Sequence, residues 1–219
     1  MNTDAMKQVV EAQHLLKHPF YQRWNMGTLE METLKEYATQ YYHHVAAFPR
    51  FVSAVHSRCE LADVRANLLE NLIEEEQGPL NHPELWLRFC EGLGLKREDV
   101  LASQPAPATR ALIETFFGLT SRSWQEGLAA LYAYESQVPE VAKSKMEGLS
   151  KFYGVTSKRS LSFFEAHLTA DVHHRQSEEQ IFEKHVGVDR EEAVLAASRS
   201  AGKALWGFMD SMMPAPVAA

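Results

Sequence analysis

A segment near residue 170 concentrates side chains that bind metal ions. Within EAHLTADVHHRQSEEQ (165–180), His167, Asp171 and His174 recur at intervals of four and three residues. An α-helix turns by about 100° per residue, so these three positions form one stripe, whereas His173 points about 100° away from His174. A solvated helix face is the ordinary reading of such a pattern. Imidazole and carboxylate groups on one stripe are also a typical metal-ligand arrangement.

Two other segments carry candidate ligands. In LIEEEQGPLNHPELW (72–86), Glu75 precedes His82 by seven residues, and in LYAYESQVPEVAKSK (131–145), Glu135 lies among apolar side chains. A carboxylate in apolar surroundings needs a positive partner. The helix pattern is interrupted between Glu75 and His82, so we expect bound metal to help order that region.

These segments together predict a dinuclear metal centre with three carboxylate and three imidazole ligands: Glu75, Glu135, Asp171, His82, His167 and His174. Paired irons in helical bundles use inward-facing carboxylates and acid-x-x-His motifs, and Asp171-x-x-His174 is one such motif. Mixed oxygen and nitrogen ligation suits iron or manganese, and the absence of thiolates argues against structural zinc. Such a metal pair could reduce dioxygen, with an external reductant, and oxidise a difficult bond.

Helical patterns separated by short breaks run along the chain, and no sustained alternating pattern indicates strands. We therefore expect an all-α fold, with helices near 4–17, 28–47, 49–60, 62–77, 83–93, 107–118, 123–153, 158–186 and 190–212. The pairs Ser123 with Glu126 and Asp189 with Glu192 have the spacing of capping boxes and predict helix starts.

Pro139 lies four residues after Glu135 and cannot donate a hydrogen bond to its carbonyl, so a kink is expected at Glu135. Lys145 follows Glu135 by ten residues, which places it near the ligand face and not on it.

Length and composition favour a single helical domain spanning residues 1–219, because 45% hydrophobic residues suffice for one substantial core. The net charge of -7 argues against nucleic acid and anionic membranes as partners. Cys59 and Cys90 lack CxxC spacing and are expected to be free buried thiols. The polar N-terminal segment and the absence of a long apolar run lead us to expect a cytoplasmic protein, neither secreted nor membrane-embedded.

The sequence resembles the haem-oxygenase-like di-metal oxidases, and most closely their CADD-like branch, named for a Chlamydia protein that associates with death domains. The resemblance covers nearly the whole chain, in HPFYQRW (18–24), AFPRFVSAVHSRC (47–59), NLIEEEQGPLNH (71–82), ALYAYESQVP (130–139), HLTADVHH (167–174) and LWGFMDSMM (205–213). It implies a bundle of seven to nine helices, like those of the PqqC and TenA proteins. The family's ligand motifs match all six candidate ligands.

The resemblance also implies a function: oxygen-dependent formation of p-aminobenzoate for folate synthesis, in which the protein's own tyrosine is cleaved to provide the ring. The matching tyrosine is Tyr21, the matching amino donor is Lys145, and Tyr134 matches a tyrosine linked to radical transfer. A further family tyrosine is replaced by Phe163. The metals would be two irons or manganese with iron, and dioxygen and a reductant would be the reaction partners.

Several alternatives remain open from the sequence. Tyr21 could be a packing residue in a loop, Lys145 a solvated helix lysine, and Tyr134 a core residue. The fold would also serve a PqqC-type oxidase acting on an external small molecule, a TenA-type thiaminase, or a non-catalytic death-domain-type binding protein, although six metal ligands argue against these alternatives. The oligomeric state, including a homodimer, is not determined.

Overall fold

The computed structural model describes residues 1–168 and 170–213, with the side chains of 170–173 excluded. In this part of the chain the regular structure is helical and contains no strand, which confirms the all-α fold class. The helices are α1 Thr3–Ala12, α2 Pro19–Met26, α3 Met31–Arg58, α4 Ala62–Glu76, α5 His82–Gly92, α6 Arg97–Ala102, α7 Pro107–Thr120, α8 Trp124–Glu135, α9 Val138–Phe152, α10 Lys158–His167, α11 Ala170–His185 and α12 Val188–Ser211, with a short 3₁₀ turn at Leu15–Lys17.

Helix α8 lies deep in the bundle, and every residue from 127 to 135 is buried. It packs against α12, α3 and α7. A helix that is apolar on all sides is stable only when other helices surround it. Glu135, the last residue of α8, is therefore held in the interior by the packing of the helix that carries it.

Two long predicted helices are each divided in the structure. The predicted helix 123–153 breaks between α8 and α9, because Pro139 lies in the first turn of α9, where its missing N–H costs least. The expected kink at Glu135 is confirmed as a complete break. The predicted helix 158–186 is divided between α10 and α11. Both divisions place candidate ligands at helix ends.

The opposite error occurs at Pro49. The sequence suggested separate helices on either side of residue 48, but α3 runs continuously from Met31 to Arg58 with Pro49 inside it. Phe48 and Phe51 are buried on either side of the proline. The burial of these aromatic side chains offsets the lost backbone hydrogen bond.

Helix α2 was not expected, since HPFYQRW read as a loop. His18 caps the helix by accepting a hydrogen bond from the backbone N–H of Phe20 at 3.1 Å, and Pro19 occupies its first turn. Proline at that position is a helix-start signal. The short helix α6 was likewise not expected.

One of the two expected capping boxes forms. Ser123 accepts from the backbone N–H of Glu126 at 3.2 Å, and the two side chains meet at 2.9 Å. The box at Asp189 and Glu192 was wrong, because α12 begins at Val188 without a side-chain cap. Asp189 instead lies in the first turn, where its charge complements the helix dipole.

The expectations about the two cysteines and about membrane-spanning helices can also be compared with the structure. Cys59 and Cys90 are buried free thiols, as expected. No helix within the described residues combines the length and apolar character needed to cross a membrane.

Candidate active site

Three of the six predicted ligands meet in the interior. Glu75, His82 and His167 each offer a ligand atom, and these atoms lie within 4.8 Å of one another. The Nδ1 atom of His82 is 2.8 Å from Oε1 of Glu75, and the rings of His82 and His167 are 4.3 Å apart between centroids. All three side chains are buried.

The ends of three helices create this cluster. Glu75 lies in the last turn of α4, His82 is the first residue of α5, and His167 is the last residue of α10. Asn81 fixes the connection between the first two by accepting from the backbone N–H of Glu84 at 3.0 Å and donating to the carbonyl of Gly78 at 2.8 Å. The interruption noted in the sequence is thus a turn that two hydrogen bonds of the Asn81 side chain hold in place.

The orientation of His167 is set by its own helix. Its Nδ1 atom lies 2.6 Å from the carbonyl of Phe163. Because a carbonyl can only accept, Nδ1 must carry the proton, and the lone pair of the neutral ring is on Nε2. A metal-binding histidine is commonly oriented by a hydrogen bond of this kind.

Glu135 is also buried, and its position is tied to α4. The side-chain amide of Asn71 donates to Oε1 of Glu135 at 2.7 Å. Asn71 precedes Glu75 by one helical turn, so the two residues lie on the same face of α4. The candidate ligands Glu75 and Glu135 therefore approach the same side of that helix.

His174 is buried on α11, and its Nε2 atom lies 3.4 Å from Oε2 of Glu74. The close cluster within the described side chains does not include His174 or Glu135. The side chain of Asp171 lies outside the described residues. Ligand roles for Glu135, Asp171 and His174 stay predictions.

The donor set at the cluster fits a metal ion of the expected type. One carboxylate and two imidazoles, without a thiolate, suit iron or manganese. Burial of these three groups at contact distance costs free energy unless a cation or protons compensate the charge of the Glu75 carboxylate. The residues present therefore fit a metal centre at Glu75, His82 and His167.

A small internal cavity lies beside this cluster. Tyr21, Lys145, Tyr134 and Phe163 all line it, together with six other residues: Leu15, Tyr41, Val138, Val141, Ala142 and Phe164. Its volume is about 10 Å³, roughly the room that one water molecule needs. Phe163 also packs on the ring of His167, with 4.3 Å between centroids, so it separates the cavity from the metal-ligand cluster.

Lys145 is buried, whereas its charged neighbours in the sequence suggested a solvated helix lysine. Its Nζ atom donates to the hydroxyl of Tyr37 at 2.6 Å and lies 5.2 Å from the ring centroid of Tyr21. Desolvation lowers the pKa of Lys145 to about 7, because burial disfavours the ammonium form. A substantial fraction of the amine is therefore neutral near neutral pH.

Tyr21 is buried in α2 and not at the surface. Burial raises its pKa well above the usual value, and the neighbouring hydroxyl of Tyr37 offsets this only in part, so the phenol remains protonated. Tyr134 is buried directly before Glu135, and its ring packs against those of His44 and Phe48. The three residues singled out by the resemblance thus share one enclosed space.

Comparison with known proteins shows the family to which the chain belongs. The family model described as an iron-containing redox enzyme, of the haem-oxygenase type, matches residues 35–206. The chain belongs to this family. It is 41% identical to 4-aminobenzoate synthase of Chlamydia muridarum, over 96% of this chain and 89% of that protein. It is 40% identical to 4-aminobenzoate synthase of Nitrosomonas europaea, over 97% of this chain and 92% of that protein.

The fold agrees with the family assignment. A solved structure of a TenA homologue from Pseudomonas syringae superposes with a TM-score of 0.80 at 18% identity, over 96% of this chain and 90% of that one. As a member of the iron-containing redox enzymes, the chain is an oxidoreductase. The CADD-like, haem-oxygenase-like resemblance is confirmed.

Three buried polar residues escaped the sequence analysis. Tyr37 and Asn71 bind predicted site residues, and Glu178, one turn after His174 on α11, is almost fully buried. The spacing of Glu178 continues the stripe of Asp171 and His174, so that signal was present. No comparable signal marks Tyr37 or Asn71, because their roles depend on contacts between distant helices.

Proposed function

We propose that the protein is a metal-dependent oxidase that makes p-aminobenzoate, also called 4-aminobenzoate, for folate synthesis. Tyr21 provides the aromatic ring and is consumed, and Lys145 provides the amino group. The observation that carries this proposal is the enclosure of the Lys145 amine and the Tyr21 ring in one cavity next to the candidate metal centre. The name of the 40–41% identical relatives agrees with the product.

The size of the cavity favours an internal substrate. Ligand pockets usually measure roughly 300–1,000 Å³, whereas this one has about 10 Å³. A free tyrosine or another aromatic molecule would not fit beside Lys145 without displacing protein side chains. Tyr21 already provides a phenol at this cavity, and its ring centroid lies 5.2 Å from Nζ of Lys145.

The metal centre in this proposal uses Glu75, His82, Glu135, His167, Asp171 and His174 to hold two ions, either two irons or manganese with iron. When bound, the ions supply the capacity to use dioxygen as oxidant, with electrons from an external reductant. Helix ends carry four of these residues: Glu75, His82, Glu135 and His167. Asn71 and the carbonyl of Phe163 orient Glu135 and His167.

The protonation states of the two reacting side chains suit their roles. Nitrogen transfer requires a lone pair on the amine, and Lys145 has one whenever it is neutral. Burial lowers the pKa of Lys145 to about 7, so the neutral form is populated near neutral pH. Tyr21 keeps its proton until it is oxidised. The aromatic and aliphatic wall of the cavity keeps bulk water away from both.

The direct test is Tyr21→Phe in protein loaded with iron, or with iron and manganese. We expect complete loss of p-aminobenzoate with metal content unchanged. The matched control is Tyr42→Phe, which removes a phenol that does not line the cavity and should retain product formation. Full product formation by Tyr21→Phe would rule out consumption of Tyr21.

A second candidate is an oxidase that acts on an external small molecule, as in PqqC-type enzymes. A surface pocket of about 330 Å³ is large enough for such a molecule and includes Tyr132, Ser136 and Arg175. It does not include Tyr21 or Lys145. Product that forms repeatedly and only when a compound such as free tyrosine is added would favour this candidate over self-consumption.

A further inference from the structure

Lys145 is an amine held by aromatic rings. Its Nζ atom lies 5.0 to 5.7 Å from the centroids of six rings: Tyr21, Trp24, Tyr37, Tyr41, Trp86 and Phe164. Ring faces attract an ammonium but do not fix its position as a hydrogen bond does. The direction of the Lys145 amine therefore depends on whatever polar group it meets among these rings.

The polar group it meets is the hydroxyl of Tyr37, at 2.6 Å. No carboxylate among the described residues forms an ion pair with Lys145. Among the described residues, the titratable groups around the amine are phenols: the rings of Tyr21, Tyr37 and Tyr41 surround it, and Tyr134 lines the same cavity. Within the described part of the chain, the hydrogen bond to Tyr37 is therefore the polar contact that orients the amine.

Tyr37 is itself immobilised by packing. It lies on α3, is fully buried and stacks on Tyr41, with centroids 5.3 Å apart and an interplanar angle of 23°. It also makes T-shaped ring contacts with Trp24 and Trp86, with centroids 5.7 Å and 5.9 Å apart. A phenol enclosed in this way has few alternative rotamers, so its oxygen is a fixed point.

A fixed acceptor matters because a lysine side chain is a flexible four-carbon stem. The hydrogen bond to Tyr37 places Nζ beside the Tyr21 ring, 5.2 Å from its centroid. A displacement of about 1 Å between reacting groups can lower a rate by roughly a hundredfold. The position of the amine is therefore as important as its protonation.

We infer that Tyr37 is the positioning residue of the amino donor: its hydroxyl accepts a hydrogen bond from Lys145 and holds the amine against the ring of Tyr21. This inference rests on the proposed function for the roles of Lys145 and Tyr21. The hydrogen bond itself can be tested without metal and without turnover.

The test is Tyr37→Phe, which removes one oxygen atom and keeps the ring. In metal-free protein carrying ¹³C and ¹⁵N in its lysines, the Cε and Nζ signals of Lys145 are identified by their loss in Lys145→Met and followed against pH. We expect the pKa of Lys145 to fall by about one unit in Tyr37→Phe, because the ammonium loses its acceptor.

The matched control is Tyr41→Phe, which removes a hydroxyl from a ring whose centroid is 5.4 Å from Nζ, against 5.0 Å for Tyr37, but which is not hydrogen-bonded to it. Its Lys145 titration should equal that of the unmodified protein. In metal-loaded protein, Tyr37→Phe should lower p-aminobenzoate formation at least tenfold with metal content unchanged. The pH at which formation is half-maximal should shift downward together with the Lys145 titration.

An unchanged Lys145 titration in Tyr37→Phe would overturn the inference, whatever the product yield. Product formation by Tyr21→Phe would overturn the proposed function instead, so the two failures are distinct. If Tyr37→Phe folds poorly, 3-fluorotyrosine placed at position 37 keeps the phenol but weakens it as an acceptor. A lower pKa of Lys145 in that protein supports the inference, and an unchanged one contradicts it.

Discussion

Lys145 shows how burial changes the chemistry of a single residue. A lysine amine in water is almost entirely protonated at neutral pH and is then a poor nucleophile. In this protein the Lys145 amine is enclosed by aromatic rings, and burial lowers its pKa to about 7. Within the described part of the chain, the amine donates its hydrogen bond to the phenol of Tyr37. The sequence around it, with Lys143 and Glu147 close by, indicated a solvated side chain, because the enclosing rings come from other helices.

The lowered pKa leads to an expected pH dependence. Below about pH 7 the folded protein holds Lys145 mainly as an ammonium, and above it as a neutral amine. The initial rate of p-aminobenzoate formation should therefore rise as the pH is raised from about 6 to about 8, with its midpoint near the Lys145 pKa. The measurement is single-turnover product formation at constant metal occupancy. A flat profile would contradict Lys145 as amino donor.

At the scale of elements, α4 organises much of the candidate metal centre. It carries Glu75, contacts Glu135 through Asn71, and contacts His174 through Glu74. The loop that follows α4 leads directly to His82. A single helix thus connects four of the candidate ligands, although only Glu75 belongs to it.

Replacement of Asn71 tests this organisation. Asn71→Leu fills a similar volume but removes the hydrogen bond to Oε1 of Glu135, so the carboxylate loses one of the contacts that orient it. We expect metal affinity to fall by roughly 10–100-fold, the usual effect of losing a group that orients a ligand. The measurement is titration with Fe(II) or Mn(II). Asn67→Leu, one turn earlier on α4, is the control, and equal affinities for both variants would contradict the role of Asn71.

Helices α2 and α9, which carry Tyr21 and Lys145, approach closely at Gly148. A Cβ atom at Gly148 would lie 2.7 Å from the Trp24 ring, and Trp24 donates from its indole nitrogen to the carbonyl of Lys145 at 3.2 Å. Gly148→Ala should therefore lower the free energy of unfolding by about 1–3 kcal/mol and displace Tyr21 from Lys145.

Chemical denaturation and single-turnover assays measure the two effects of Gly148→Ala. The control is Gly118→Ala on α7, where no atom lies within 4 Å of the added Cβ. That substitution should be neutral or stabilising, since alanine favours helix over glycine. If the two variants had the same stability and product yield, the close contact between α2 and α9 would not matter to the site.

The elements also show how far sequence reasoning reaches. Helical periodicity predicted the all-α fold, and Pro139 predicted a kink at Glu135, where the structure has a complete break between α8 and α9. The expected separation of helices 28–47 and 49–60 was wrong, because burial of the aromatic residues next to Pro49 maintains α3. The sequence analysis also missed α2, whose start depends on a histidine cap, a less common capping residue than serine or aspartate. Local signals indicated element types, whereas tertiary packing decided these exceptions.

The candidate site was predictable to a similar extent. Spacing and residue type brought out Glu75, His82 and His167, which the fold brings within reach of one metal ion. The proposed roles of Tyr21 and Lys145 came from the family resemblance and not from a local motif. Tyr37 became visible only in the structure, because its contact with Lys145 spans 108 positions of the chain.

At the scale of the whole molecule, metal binding should stabilise the bundle. The cluster joins the ends of α4, α5 and α10, so an ion held there ties together three helices that are separate along the chain. Binding to the folded state alone adds about 2.7 kcal/mol when the ion is present at about a hundred times its Kd. Unfolding should therefore occur at a higher temperature with metal than without.

Thermal unfolding in the absence of oxygen checks this expectation. Fe(II) or Mn(II) should raise the Tm of the chelator-treated protein, and renewed chelation should reverse the change. His167→Ala should remove most of the increase, whereas His43→Ala, which alters a histidine outside the candidate cluster, should retain it. A metal-induced increase that is the same in His167→Ala would place the bound ion elsewhere.

The central claim is that the protein consumes its own Tyr21, and mass spectrometry tests it most directly. Protein made with ring-¹³C-labelled tyrosine is loaded with iron, or with iron and manganese, then given reductant and oxygen, and analysed by intact mass and peptide mapping. We expect loss of side-chain mass at Tyr21, with Tyr37 and Tyr134 unchanged, and release of labelled p-aminobenzoate at no more than one molecule per chain. An intact Tyr21 in protein that binds metal and consumes oxygen would contradict the claim.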